Sequence, residues 1–332
     1  WQPSPRPAIS GRGHHSFDVG LNEPHTIMTF ARGATLTTAA TLGYGDMSNF
    51  GPTAGNGFRT RWPDDLAVLQ QIGVTDLRLT FDWSRLQAKP GDLDSAWADW
   101  YDQTLTAADA IGLRVWATLH DGDEPRWITN EGGIDNPDVA VTWLPRFVER
   151  VADRFGTGVH GWVPFAEITP DLPPAGWAAT WSALHGSETP VVASLSTSTI
   201  ASAASFLETC DLVGIALAHA DLDDREPNDE QLDHLREQMH DEVMRSAELV
   251  QDTPMLISQF TARHDDPDVQ GLIAEQFVIA LDAAIDDGVY IGAAFIDPAI
   301  TGPESSGGLL DSARSTTPMT NAVLGGADNH AD

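Results

Sequence analysis

From residue 26 onward, short apolar runs rich in β-branched residues alternate with longer stretches whose apolar positions recur every three or four residues. The short runs read as strands and the longer ones as amphipathic helices. Strands are predicted at 26–37, 76–81, 114–119, 160–166, 190–195, 212–218, 255–259 and 290–296. Helices are predicted near 62–72, 95–111, 139–155, 176–185, 200–209, 230–250 and 268–286. Strands separated by helices build a parallel sheet. Eight strands with seven intervening helices is the count of an α/β (β/α)8 TIM barrel. A doubly wound sheet is the weaker fit, because no G-x-G-x-x-G turn follows the first strand.

Nothing interrupts the alternation between 27 and 325, so a single barrel domain is expected there. Residues 1–26, rich in Pro, Gly and His, are expected to form a flexible arm, and 326–332 a frayed tail. The start, Trp1 to Pro7, lacks the apolar stretch of a signal peptide. No apolar run nears the roughly 20 residues that cross a bilayer. A cytoplasmic protein is the resulting expectation.

Charge narrows the partners. The chain carries 49 acidic against 18 basic residues, a formal charge of -31. Phosphate binding needs a basic face, so no nucleic acid partner is expected. An anionic membrane is disfavoured for the same reason. Lys89 is the single lysine and Asp outnumbers Glu. That composition fits a high-salt interior, where screening weakens self-repulsion; it fits a GC-rich genome equally well. Cys210 is the only cysteine, which excludes an internal disulfide and a Cys-based zinc site. It precedes an apolar run and reads as a small buried residue. Nothing fixes the oligomeric state.

One segment carries chemistry. Phe155-Gly156, Val159, Trp162 and Glu167 stand at the spacing F-G-x-x-V-x-x-W-x-x-x-N-E-P. This resembles the acid/base motif of glycoside hydrolase family 1, the retaining β-glycosidases. Further motifs extend the resemblance. Gly73 to Leu86, with Arg78, Trp83, Ser84 and Arg85, resembles G-x-x-x-x-R-x-S-x-x-W-S-R, and Val115 to Pro125 resembles V-T-L-x-H-W-D-x-P. The likeness covers about residues 27–170. Beyond 171 it is weak, and the loops are trimmed.

The resemblance implies O-glycosyl hydrolysis of a carbohydrate or glycoside substrate, without cofactor or metal. It makes Glu167 the general acid/base and places the nucleophile on the seventh strand, where this chain has Gln259. An amide is a very poor nucleophile. The chain departs elsewhere too. Ala166 replaces the Asn before the acid, Asp121 the glycone-binding His, and Gly122 the next Trp, while Thr38-Ala39-Ala40 lacks the first strand's Gln. Asp121 and Asp297 are then candidates for a base that activates water, giving inversion. Arg78, Trp83, His120 and Trp162 are the candidate substrate-binding residues.

Two alternatives stand beside the glycosidase. The loss of the nucleophile suits a non-catalytic pseudoenzyme barrel that binds a carbohydrate or a protein. His120, Asp121, His219 and Asp221, with Glu167 as base, would suit a metal-dependent hydrolase, although no H-E-x-x-H spacing supports it.

Overall fold

The computed structural model describes residues 30–168, 174–219, 222, 227–302 and 307–325. Its strands are β1 (Ala31–Leu36), β2 (Asp76–Thr80), β3 (Arg114–Thr118), β4 (Gly161–Val163), β5 (Val192–Ser196), β6 (Leu212–His219), β7 (Met255–Ala262) and β8 (Ile291–Ile296). They pair in parallel in the order β4-β3-β2-β1-β8-β7-β6-β5. The two edges meet through single bridges, Trp162 with Val191 and Ile168 with Leu195. Trp162 N–H donates to Pro190 O at 2.8 Å there, and Ile168 N–H to Ser194 O at 2.7 Å. The result is a nearly closed (β/α)8 barrel, as the alternation predicts.

The helices are α1 (Phe58–Gln71), α2 (Trp83–Leu86), α3 (Ser95–Ala110), α4 (Arg126–Thr129), α5 (Pro137–Thr142), α6 (Leu144–Phe155), α7 (Pro174–Leu184), α8 (Asp229–Val250), α9 (Pro267–Asp286) and α10 (Pro318–Leu324). Periodicity explains their placement. In α6, Leu144, Phe147, Val148, Val151 and Phe155 are buried on one face, the three-to-four spacing that seats a helix on a sheet. Caps fix the starts: Asp94 Oδ1 accepts from Trp97 N at 3.0 Å, and Asn228 with Gln231 forms a capping box on α8. None of the described helices is long and apolar enough to cross a membrane.

Several predicted boundaries move. The first strand is described from Ala31, and 26–29 lie outside the described residues, as do the predicted arm and tail. The helix expected over 139–155 breaks at Trp143 into α5 and α6, with Pro145 in the first turn of α6, the place proline tolerates. The strand expected over 160–166 keeps only three residues, because Pro164 has no N–H for the ladder. The helix expected over 200–209 is two short 3-10 turns, Ile200–Ser205 and Leu207–Thr209. Ser202 and Ser205 hydroxyls donate to the carbonyls of Thr199 and Ser202 at 2.6 and 2.7 Å, which competes with α-helix formation.

Inside the barrel, alternation sorts side chains into layers. Toward the amino ends of the strands an apolar plug contains Trp116, Val192, Leu256 and Phe295. Gly161 makes room for it, since a Cβ there would lie 2.2 Å from the Trp116 ring. Two residues further along β3, β5 and β7 come Thr118, Ser194 and Ser258, a polar layer joined to Arg78 of β2. The plug closes one end, and the polar layer floors a cavity at the other.

Candidate active site

The carboxyl ends of the strands enclose a cavity of about 550 Å3. Its lining includes Arg78, His120, Asp121, Phe165, Glu167 and Gln259. Residues from the ends of β2, β3, β4 and β7 thus converge on one space, where barrel enzymes place their chemistry.

Arg78 anchors the floor. It is 2% exposed. Its Nε donates to Thr118 Oγ1 at 2.9 Å, and its terminal nitrogens to the carbonyls of Ser258 and Ala166. Burial depresses its pKa, while Asp297 and then Asp121 oppose that by their charge. Asp297 follows β8 and sits behind Gln259, whose Nε2 donates to Asp297 Oδ2 at 2.7 Å. Burial pushes the Asp297 carboxyl up to about 6, although Arg78 and the Gln259 amide both favour its charged form.

Asp121 borders the cavity directly. Its Oδ2 accepts from Thr38 N–H at 3.2 Å. Burial and the neighbouring Asp82 raise its carboxyl to about 6. Asp82 is itself held, pairing with Arg85 at 2.5 Å and accepting from Ser84 Oγ at 2.7 Å at the start of α2. His120 is kept neutral by burial, its pKa lowered to about 4. Gly122 N–H donates to its Nδ1 at 3.4 Å, which leaves the proton on Nε2, buried without a partner among the described residues. Glu167 lies past the end of β4 on an exposed stretch of the cavity wall.

Other residues that sequence reasoning singled out lie elsewhere. Trp83 and Trp162 are 1% and 0% exposed. Trp83 stacks on Phe147, with ring centroids 4.9 Å apart, and Trp162 belongs to the core between barrel and helices. Neither borders the cavity, so their contribution to the site is packing; aromatic identity alone did not reveal which way each ring points. Cys210 is buried, as expected. Among the described residues no three His, Cys, Asp or Glu side chains gather as a metal site. The side chains of His219 and Asp221 lie outside the described residues.

The structure adds Tyr44, Phe50 and Glu124, which the sequence reading passed over. Tyr44 lines the cavity from the loop between β1 and α1, and Phe50, 56% exposed, packs against it at a tilt of 37°, with centroids 4.8 Å apart. Asp123 ties that loop to the end of β3, its Oδ1 accepting from Ser48 Oγ at 2.8 Å and from Asn49 N at 3.1 Å. Glu124 holds the next loop through Thr129 Oγ1 at 3.0 Å and Ile134 N at 3.1 Å. Gly-Tyr-Gly at 43–45 was the available signal for a ring presented on a turn.

The model of glycosyl hydrolase family 1 matches residues 48–196, which carry Arg78, His120, Asp121 and Glu167. Over that segment the chain is similar to glycosyl hydrolase family 1. It is 27% identical over 132 residues to a β-glucosidase of an Agrobacterium species, an overlap of 39% of this chain and 27% of that protein. It is 24% identical over 140 residues to a 6-phospho-β-glucosidase of Dickeya chrysanthemi, covering 39% and 30%. The chain therefore spans about a third or less of the length of these two relatives. The fold likeness reaches further. The family 1 β-glucosidase of Thermotoga maritima superposes with a TM-score of 0.72 at 13% identity, over 89% of this chain and 96% of that one. A β-glycosidase from Pyrococcus horikoshii gives 0.73 at 13% identity, over 89% and 93%. Gln259 and Asp297 lie beyond the segment that the family 1 model matches.

Proposed function

We propose that the chain hydrolyses an O-glycosidic bond of a neutral β-glycoside by direct attack of water. The observation that carries the reading is that Glu167 and Asp121 border the same cavity as Gln259, at the carboxyl ends of three strands. Glu167 protonates the leaving oxygen. The bond between the anomeric carbon and that oxygen breaks as a water oxygen bonds to the carbon, and the water's proton passes to a basic group of the site. Gln259 cannot form the covalent intermediate of a retaining enzyme, so a single displacement with inversion follows. Glu167 is exposed in the open cavity, within reach of an entering leaving group.

Charge inventory supports a neutral substrate. Asp121, Glu124, Asp135 and Glu167 line the cavity, and among the described residues Arg78 is its only lysine or arginine, with its donors already turned to Thr118, Ser258 and Ala166. A phosphorylated sugar, such as the name of the Dickeya relative implies for that enzyme, would meet like charge. A neutral sugar offers hydroxyl donors to the carboxylates and acceptors to His120 Nε2–H.

The second reading, a non-catalytic carbohydrate-binding barrel, is favoured by the amide at Gln259. Hydrolysis of a panel of nitrophenyl β-glycosides at low and high salt separates the two. The proposal expects turnover that Glu167→Gln removes. Binding without turnover at any salt supports the pseudoenzyme.

A further inference from the structure

The proposed single displacement leaves one question open: which group takes the water's proton. We infer that Gln259 and Asp297 act together as the base, the amide oxygen receiving the proton from water while Asp297 receives the amide's proton from Nε2. This rests on the reading of the chain as a hydrolase that lacks the covalent nucleophile.

Three observations lead there. Gln259 borders the cavity, whereas Asp297 is not among its lining residues. Asp297 therefore reaches the cavity through the amide. The Nε2 to Oδ2 bond is 2.7 Å long. A carboxylate only accepts, so the amide must present its NH2 to Asp297, and its other end, Oε1, is the oxygen left over. No protein donor engages Oε1 among the described residues; its NH2 also lies 3.5 Å from Thr261 Oγ1. Finally, charge is conserved in kind. Arg78 keeps a carboxylate partner in Asp297 although the seventh strand offers only an amide.

The groups facing Asp297 are Arg78 from β2, Gln259 from β7 and Arg263 just beyond β7. With burial as the larger influence, its carboxyl titrates near 6, high enough to hold a proton transiently and low enough to start ionised at neutral pH.

The step balances. Water oxygen bonds to the anomeric carbon as the glycosidic C–O bond breaks. Glu167 gives its proton to the leaving oxygen. One water proton moves to Gln259 Oε1, and one Nε2 proton moves to Asp297, leaving the amide as its imidic tautomer. Asp297 then returns its proton to Nε2 as Oε1 releases its own to solvent, and Glu167 is reprotonated from solvent. Gln259 is the catalytic residue; Asp297 acts through it as a positioning residue and proton store.

The test measures product configuration and pH profile together. Proton NMR of the first-formed sugar from a nitrophenyl β-glycoside is expected to show the α-anomer. The kcat profile is expected to show an acid limb near pH 6. Asp297→Asn should lower kcat by about 10²–10⁴-fold with KM little changed and should abolish that limb. Because Asp297→Asn also disturbs Arg78, Gln259→Met serves as the second variant: it keeps volume, leaves Asp297 and Arg78 in place, and should lose kcat equally. Turnover with a β-anomer product, or an acid limb and kcat intact in Asp297→Asn or Gln259→Met, overturns the relay while leaving the hydrolase standing. Absence of wild-type turnover on every glycoside overturns the hydrolase and the relay with it.

Discussion

Gln259 Nε2 donates to Asp297 Oδ2 across 2.7 Å, joining the side of β7 that faces the cavity to the residue that follows β8. In the retaining mechanism that the resemblance implies, the seventh strand supplies a carboxylate. Here the amide occupies that place and the nearest negative charge has moved one strand along the barrel. Arg78 still feels the opposite charge of Asp297, so the buried guanidinium keeps its compensation although the seventh strand offers only an amide.

Asp121 gives a prediction with a defined sign. Its folded carboxyl sits near 6, above its ordinary value of 3.8. The native state therefore holds this proton more tightly than the unfolded chain, and stability falls as pH rises through the window from about 4 to 6. Asp121→Asn keeps an acceptor for Thr38 N–H and carries no such cost. It should stabilise the protein by about 1–2 kcal/mol at pH 7, with no gain below about pH 4. Denaturant unfolding at the two pH values checks this; an equal effect at both would contradict it.

Asp65 and Arg314 give a second. Arg314, in the segment before α10, meets Asp65 of α1 with both guanidinium bonds, 2.8 and 2.7 Å, and the two side chains are 5% and 1% exposed. Breaking a buried pair from one side leaves an uncompensated charge. Arg314→Ala should cost about 3–5 kcal/mol in denaturant unfolding. A loss below about 1 kcal/mol would mean water reaches Asp65.

The pocket rim gives a third. Phe50 is exposed yet packed at a tilt against Tyr44, which lines the cavity. Phe50→Ala should free the Tyr44 ring and raise KM for aryl glycosides by about 3–10-fold, the worth of one aromatic pair, with kcat and Tm little changed. An unchanged KM would place the substrate away from this loop.

Charge at the cavity gives a fourth. A 6-phosphoglycoside should be turned over with kcat/KM on the order of 10²-fold below its unphosphorylated counterpart, since like charge in a desolvated site costs several kcal/mol. Comparable turnover of both would show that the carboxylates face away from that part of the sugar.

The barrel was legible in the sequence because each strand reads as a short apolar run and each major helix as a longer amphipathic one. Where local chemistry competed with period, the reading slipped: Pro164 cut β4 short, and the hydroxyls of Ser202 and Ser205 turned a predicted helix into 3-10 turns. The site was legible residue by residue where order along the chain fixes strand ends, so Arg78, His120, Asp121, Glu167 and Gln259 meet in one cavity. It was not legible where the outcome depends on which way a ring points. Trp83 and Trp162 look like sugar platforms in sequence and are core residues in space, whereas Tyr44 and Phe50 gave no periodic signal and form the rim.

The most direct test of the central claim compares leaving groups. Glu167 matters most when the departing oxygen is basic and little when it is already a good leaving group. Wild type and Glu167→Gln should therefore be assayed on a dinitrophenyl β-glycoside and on the corresponding alkyl glycoside. We expect the variant to keep most of its turnover on the first and to lose about 10²–10⁴-fold on the second. An equal loss on both, or no hydrolysis of either by the wild type, would contradict Glu167 as the proton donor of a working glycoside hydrolase.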